Sequence, residues 1–138
     1  MPRAGAVLLI ALATVAGVPG RAGDPAGDLL LVANKGEQTL GIIDPVAGRQ
    51  VATVKQSGTT GHEVVASPDG RTAYVPIYGD AGGGRPGSDG RTMDVIDIAS
   101  RRRVATIDLG GPQRPHCAAF GPDGRLYVTA EATNSIKV

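Results

Sequence analysis

Residues 61–76 read GHEVVASPDGRTAYVP, and residues 115–129 read PHCAAFGPDGRLYVT. Both stretches run in one order: a histidine, a short apolar run, a Pro-Asp-Gly-Arg turn and a second apolar run. The turn has a mechanism. Proline presets its own φ, aspartate hydrogen-bonds back to the backbone, and glycine takes the left-handed position. Each stretch therefore reads as a β-hairpin, and the pair reads as a repeat.

Working outward gives the period. Val32 in LLVAN, Val75 in AYVPI and Val128 in LYVTA stand at equivalent places, 43 residues apart in the first step and 53 in the second. The longer step has a visible source. From Asn34 to Asp44 is ten residues, whereas from the equivalent Ile77 to Asp97 is twenty, so the second unit carries an insertion within residues 79–92, GDAGGGRPGSDGRT. Without it both steps are equal. VATV at 51–54 matches VATI at 104–107, and SPDGR at 67–71 matches GPDGR at 121–125. Strands are expected at 29–33, 40–44, 50–55, 63–67, 72–77, 92–98, 103–109, 117–120, 126–130 and 135–138. Each is short, rich in Val, Ile, Thr or Ala, and bounded by turn residues. Four such strands in a period of about 40–45 residues are the signature of a β-propeller blade.

VVASPDGRTAYV, AAFGPDGRLYVT, VIDIASRRRVATIDLG and the closing TNSIKV resemble the YVTN-type β-propeller repeat proteins, the YncE-like group. The resemblance covers essentially everything after the N-terminal signal. It implies an all-β propeller of four-stranded blades, about seven in a closed ring. About two and a half blades are present here. The chain opens at the second strand of one and stops inside the third strand of another. The expectation is a partial propeller domain over residues 23–138, the N-terminal part of a longer protein, with closure by oligomerisation as the rival. Such propellers range from binding proteins to lactone hydrolases and antibiotic lyases, so the fold leaves the activity open.

The N-terminus reads as a processing signal. Arg3 is followed by the uncharged run AGAVLLIALATVAGV at 4–18, then Pro19, Gly20 and Arg21. The run is too short for a convincing membrane span, and Gly20 and Ala22 are the small residues of a cleavage site. Residues 1–22 are assigned to a signal peptide, the mature chain is expected to be periplasmic or extracellular, and no membrane span follows signal removal. With one cysteine, Cys117, an internal disulfide is excluded. Lys+Arg number 14 against 13 Asp+Glu, which gives no basic footprint for nucleic acid.

Propeller topology sorts residues by face. The two Pro-Asp-Gly turns fall on the bottom. The connections entering the inner strands fall on the top, with His62 and His116, and so do the loops after the second strands, with Lys35, Tyr78, Glu131 and the insertion that begins at Asp80. The candidate ligand-binding residues are His62, His116, Glu131, Tyr78 and Asp80. Imidazole and carboxylate together can hold a divalent metal or serve as general base and acid. His62, His116 and Glu131 are the candidate metal set, and Glu63 lies nearby although its repeat equivalent is Cys117. The competing role for the histidines is to fix the turn into each inner strand. Cys117 is expected to be a packed thiol, Arg101, Arg102 and Arg103 a solvated turn, and Asp44 and Asp97 turn braces.

The expected function is a scaffold that binds a small molecule or protein through its top face. The alternative is a metal-assisted, lactonase-like hydrolase or lyase with a site at the channel mouth. No catalytic set can be carried over residue by residue. No cofactor motif is evident, and a divalent metal is the one cofactor the pattern accommodates. No haem motif supports a redox role.

Overall fold

The computed structural model describes residues 28–80 and 86–138. The expected signal peptide and the middle of the inserted loop lie outside the described residues. The chain forms three antiparallel sheets. The first contains β1 (Leu30–Asn34), β2 (Thr39–Asp44) and β3 (Arg49–Lys55) in that order. The second contains β4 (Val65–Ala66), β5 (Thr72–Gly79), β6 (Asp89–Asp97) and β7 (Arg102–Asp108). The third contains β8 (Pro115–Phe120), β9 (Leu126–Ala130) and β10 (Ser135–Lys137), with a 3₁₀ turn at Glu131–Thr133 between β9 and β10. Among the described residues, no helix is long and apolar enough to cross a membrane.

Period-two alternation builds the core. Leu40 and Ile42 on β2, Val54 on β3, Ala73, Val75 and Ile77 on β5, and Ile96 on β6 form one buried cluster where the first two sheets meet. Burying each Leu or Ile side chain contributes about 1.5–3 kcal/mol. The second and third sheets meet in part through Tyr74 and Phe120, whose ring centroids lie 5.7 Å apart in an edge-on arrangement. The repeated VATI segment behaves differently in its two copies. Val54 is buried, but its partner segment on β7 is exposed throughout, with Val104 and Ile107 facing outward.

The turns follow their residue chemistry. Asp69 and Asp123 accept hydrogen bonds from the backbone N–H groups of Arg71 and Arg125. Asp44 accepts from the N–H groups of Val46 and Ala47, and Asp97 from that of Ser100, so both brace their turns. Arg101 sits in its turn at φ 58°. Arg103 is not merely solvated, since its guanidinium lies 3.8 Å from the buried carboxylate of Asp94.

β4 is shorter than the expected 63–67, and Pro76 supplies a reason. The N–H of His62 donates to the carbonyl of Pro76 at 3.0 Å, so Pro76 turns its hydrogen-bonding edge toward the incoming chain. Proline has no N–H to return, and the ladder is interrupted there. The insertion is also more ordered at its neck than a plain loop. The β5–β6 ladder continues past Ile77 through a bulge to the pair Gly79 and Asp89. Gly90 is required at this neck because a Cβ there would stand 1.8 Å from the carbonyl oxygen of Ile77.

Candidate functional site

Two connectors deliver the two histidines. The first runs from β3 to β4. Gln56 is buried; its amide donates to the carbonyl of Thr39 and accepts from the N–H of Gly61. The N–H of Ser57 donates to the buried carboxylate of Asp94 at 2.7 Å. The N–H of Tyr78 donates to the carbonyl of Thr60 at 2.8 Å. The second connector runs from β7 to β8. The N–H groups of Gln113 and Arg114 both donate to the carbonyl of Gly90, at 2.9 and 3.0 Å. On its other side the connector accepts from the N–H groups of Glu131 and Ala132. The base of the insertion and the 3₁₀ turn therefore clamp the segment that carries His116. Both connectors twist into the left-handed region two residues before their histidine, at Thr60 (φ 56°) and Arg114 (φ 46°).

The result is a cluster built from all three sheets. The rings of His62 and His116 lie 3.8 Å apart between centroids, tilted by 38°. Tyr78 flanks both, at 5.1 Å from His62 and 5.7 Å from His116. The Lys35 ammonium donates to Nε2 of His62 at 2.9 Å. The Glu63 carboxylate lies 3.6 Å from Nδ1 of His116. Tyr78 donates its hydroxyl proton to Glu131 at 2.7 Å, and Arg114 bridges Glu131 to Asp89. Asp89 belongs to the inserted segment, so the insertion reaches the cluster through a chain of charge-assisted bonds.

Electrostatics follow from this packing. Burial holds the pKa of His62 below the ordinary histidine value. The nearby His116 and Lys35 push the same way, against the carboxylates of Glu63 and Glu131. Its Nδ1 is buried without a hydrogen-bond partner. The bond to Glu131 pushes the Tyr78 phenol above its usual range, with burial adding to it.

The structure thus brings together four of the five candidate ligand-binding residues: His62, His116, Tyr78 and Glu131. Asp80 is directed elsewhere, accepting from the N–H and hydroxyl of Ser88 across the neck of the insertion. Glu131 is committed to Tyr78 and Arg114, and the carboxylate grouped with the two histidines is that of Glu63. Donor atoms of His62, Glu63 and His116 all lie within 4.8 Å of one another. Repeat logic discounts Glu63 because its equivalent is a cysteine, yet a site spanning two units needs only one copy of its carboxylate. Arg114 carried no repeat signal; its pairing with Asp89 and Glu131 emerges only when the three sheets are assembled. Cys117 is exposed rather than packed, and its hydrogen bond to Glu63, with burial second, raises the thiol pKa. Beside His116 opens a cleft of about 400 Å³, lined also by Thr129, Glu131, Asn134 and Ile136.

The three stacked antiparallel sheets define a β-propeller-like all-β fold. A chain of hydrazine synthase from Kuenenia stuttgartiensis, a propeller-containing protein, is similar to this one at TM-score 0.61 and 26% identity over 72% of the present chain. The match spans 26% of the length of that chain, about a quarter. The dihydro-haem d1 dehydrogenase NirN, solved with its ligand DHE, matches at TM-score 0.30 and 14% identity, over 85% of this chain and 36% of that one. No family model and no curated protein matches the sequence.

Proposed function

We propose that this chain is part of an exported YVTN-type β-propeller that binds a small molecule or protein through its top face. The observation that carries this reading is the stacked pair His62 and His116. Two sheets contribute one imidazole each to the same point, and Tyr78, Lys35, Glu63 and Glu131 surround them. Turn-fixing alone requires neither the stacking nor the orphaned ring nitrogen, since the turns are already held by backbone bonds to Pro76, Gly90 and Thr60. The adjoining cleft has room for a small ligand and mixes apolar and hydrogen-bonding walls, as binding sites do. The propeller-type likeness supports the scaffold, and the repeated PDGR hairpins support the YVTN assignment.

A thermal-shift screen of small carboxylic acids, lactones and amines on the purified protein tests this. The expected result is a ligand that raises the melting temperature of the native protein and fails to do so for His116→Ala. A ligand that stabilises both equally binds elsewhere and overturns the reading.

The second reading, a metal-assisted lactonase-like hydrolase or lyase, is favoured by the grouping of His62, Glu63 and His116. It requires metal-dependent opening of a lactone, lost in His116→Ala. Lactone turnover that survives chelation removes it.

A further inference from the structure

We propose that His62, Glu63 and His116 form a binding site for one divalent transition-metal ion of the zinc class, with a fourth position open to water or a ligand from the cleft. The site deepens the reading of this face as a binding face and rests on the same cluster. It does not depend on any hydrolytic activity.

The donor set suits the ion. Two imidazoles and one carboxylate plus an open position are a recurrent zinc arrangement, and borderline nitrogen ligands favour zinc, cobalt, nickel or copper over magnesium or calcium. The spacing suits it too. Bonds of about 2.0–2.1 Å in tetrahedral geometry put neighbouring donors roughly 3.3 Å apart. The Glu63 oxygen and His116 Nδ1 stand at 3.6 Å, and the whole triad closes from at most 4.8 Å by side-chain rotation. The backbone need not move, because both connectors are pinned on either side of their histidines.

His62 supplies an independent pointer. Its Nδ1 is buried and unpartnered. With the Lys35 ammonium donating to Nε2, the ring proton sits on Nδ1 and points at nothing that accepts it. A buried polar group in that state costs about 1–3 kcal/mol. A metal on Nδ1 resolves the conflict and makes Nε2 the donor. Lys35 can then no longer donate to Nε2, so its ammonium must swing away. Lys35 is therefore a competitor for the metal, a tethered cation that holds His62 in its metal-free state.

The geometry of the insertion fits this arrangement. Asp89 and Gly90 hold the Arg114 connector, and Arg114 holds Glu131 away from the metal on Tyr78. Glu131 is thereby kept out of the donor set and lines the cleft beside His116.

The test is titration of the native protein, stripped with chelator, with Zn²⁺ by calorimetry and with Co²⁺ by visible absorption. One ion per chain is expected, with a cobalt spectrum of low-symmetry, four-coordinate type. Glu63→Gln and His116→Gln are expected to weaken binding by more than the roughly 10–100-fold that loss of an outer-shell partner costs. Thermal melts without metal establish that both variants fold. Lys35→Met is expected to tighten binding about 10-fold, on the scale of outer-shell effects. No bound ion, or an affinity unchanged by Glu63→Gln and His116→Gln, overturns the site. Unchanged or weaker binding in Lys35→Met overturns the competition. Zinc binding without any small-ligand shift leaves this site standing and sinks the small-molecule reading, whereas ligand shifts without zinc binding sink the site alone.

Discussion

His62 lies in the connector that leads into the second sheet and His116 near the start of the third, yet their rings stack with centroids 3.8 Å apart. Burial first, and that contact second, make protonation of His62 unfavourable. The groups facing His62 are His116 and Lys35, which repel a proton on it, Glu63 and Glu131, which attract one, and the Tyr78 ring; burial outweighs the attraction. The folded-state pKa is thus depressed, while in the unfolded chain His62 titrates near the usual value of about 6.5. Above that pH both states are neutral there and nothing is lost. As pH falls below it, the unfolded chain takes up a proton that the folded chain resists, and stability drops until the folded pKa is passed. Urea unfolding at about pH 7.5 and about pH 5.5 is expected to show that drop, and His62→Gln is expected to shrink it. Equal pH slopes for the two proteins would show that His62 is not the group responsible.

Asp94 is the buried charge that ties the first connector to the second sheet. It is fully buried, accepts from the N–H of Ser57, and faces Arg103 and the hydroxyl of Thr106. Asp94→Ala deprives the part-buried Ser57 N–H of its acceptor and removes the anion opposite Arg103. The expected cost is about 2–3 kcal/mol, read as a lowered urea midpoint. A change below about 0.5 kcal/mol, within the range of ordinary surface substitutions, would mean that Gln56 and the backbone bonds to β5 hold the connector without Asp94.

Gly90 tests whether the insertion positions His116. A Cβ at residue 90 meets the backbone of Ile77 and Tyr78, which cannot yield as a side chain would. Gly90→Ala is expected to cost about 2 kcal/mol or more and to shift the His116 ring resonances, because the carbonyl of Gly90 holds the connector at Gln113 and Arg114. Gly36→Ala is the control, since its Cβ would meet nothing within 4 Å. A destabilised Gly90→Ala with unchanged His116 resonances would confine the insertion to a structural role.

The repeat made the strand order legible before any geometry. PDGR turns and VATI segments are local signals, set by φ preferences and period-two burial, and they place all ten strands to within about three residues at either end. β4 is shortened at its start by Pro76, a residue on a different strand whose missing donor matters only once the two are opposed. The site was legible in part for the same reason. His62, His116, Tyr78 and Glu131 share a face by topology, and topology follows from the repeat. Which carboxylate joins the histidines depends on rotamers and charge pairing across three sheets. Glu131 goes to Tyr78 and Arg114, leaving Glu63, and no spacing in the chain encodes that choice. Repetition also misleads where a residue differs between copies, as with Glu63 against Cys117.

Tyr78 couples the histidines to the charged chain beyond them. Its ring is nearly buried against His62 and His116, and its hydroxyl donates to Glu131. Tyr78→Phe keeps the ring contacts and removes that bond. The expected loss is about 1–2 kcal/mol, the scale of a hydrogen bond to a charged acceptor. In the native protein the Tyr78 phenol should ionise above the usual value of about 10, and the variant should lose that late-titrating component in an ultraviolet titration. Tyr127, which donates to Asp123, is raised as well, so the comparison must be made between the two proteins rather than within one. A titration curve unaltered by the substitution would show that the Tyr78–Glu131 bond does not persist in solution.

Thr60 carries backbone strain at the entrance to the site. A β-branched residue at φ 56° is disfavoured, because its Cβ crowds the following carbonyl at a cost of roughly 1–2 kcal/mol. Glycine removes that clash and gives back about 0.5–1 kcal/mol in lost unfolded-state restriction. Thr60→Gly is therefore expected to leave the protein unchanged or more stable, by up to about 1 kcal/mol. The carbonyl of residue 60 would still accept from Tyr78, so the connector keeps its course. What changes is stiffness. With strain relieved and a freer backbone two residues before His62, ligand or metal affinity is expected to fall while the melting temperature holds or rises. A variant that loses stability as well would show that Thr60 is held by packing rather than against its preference, and that the left-handed twist before each histidine is not a strained element of the site.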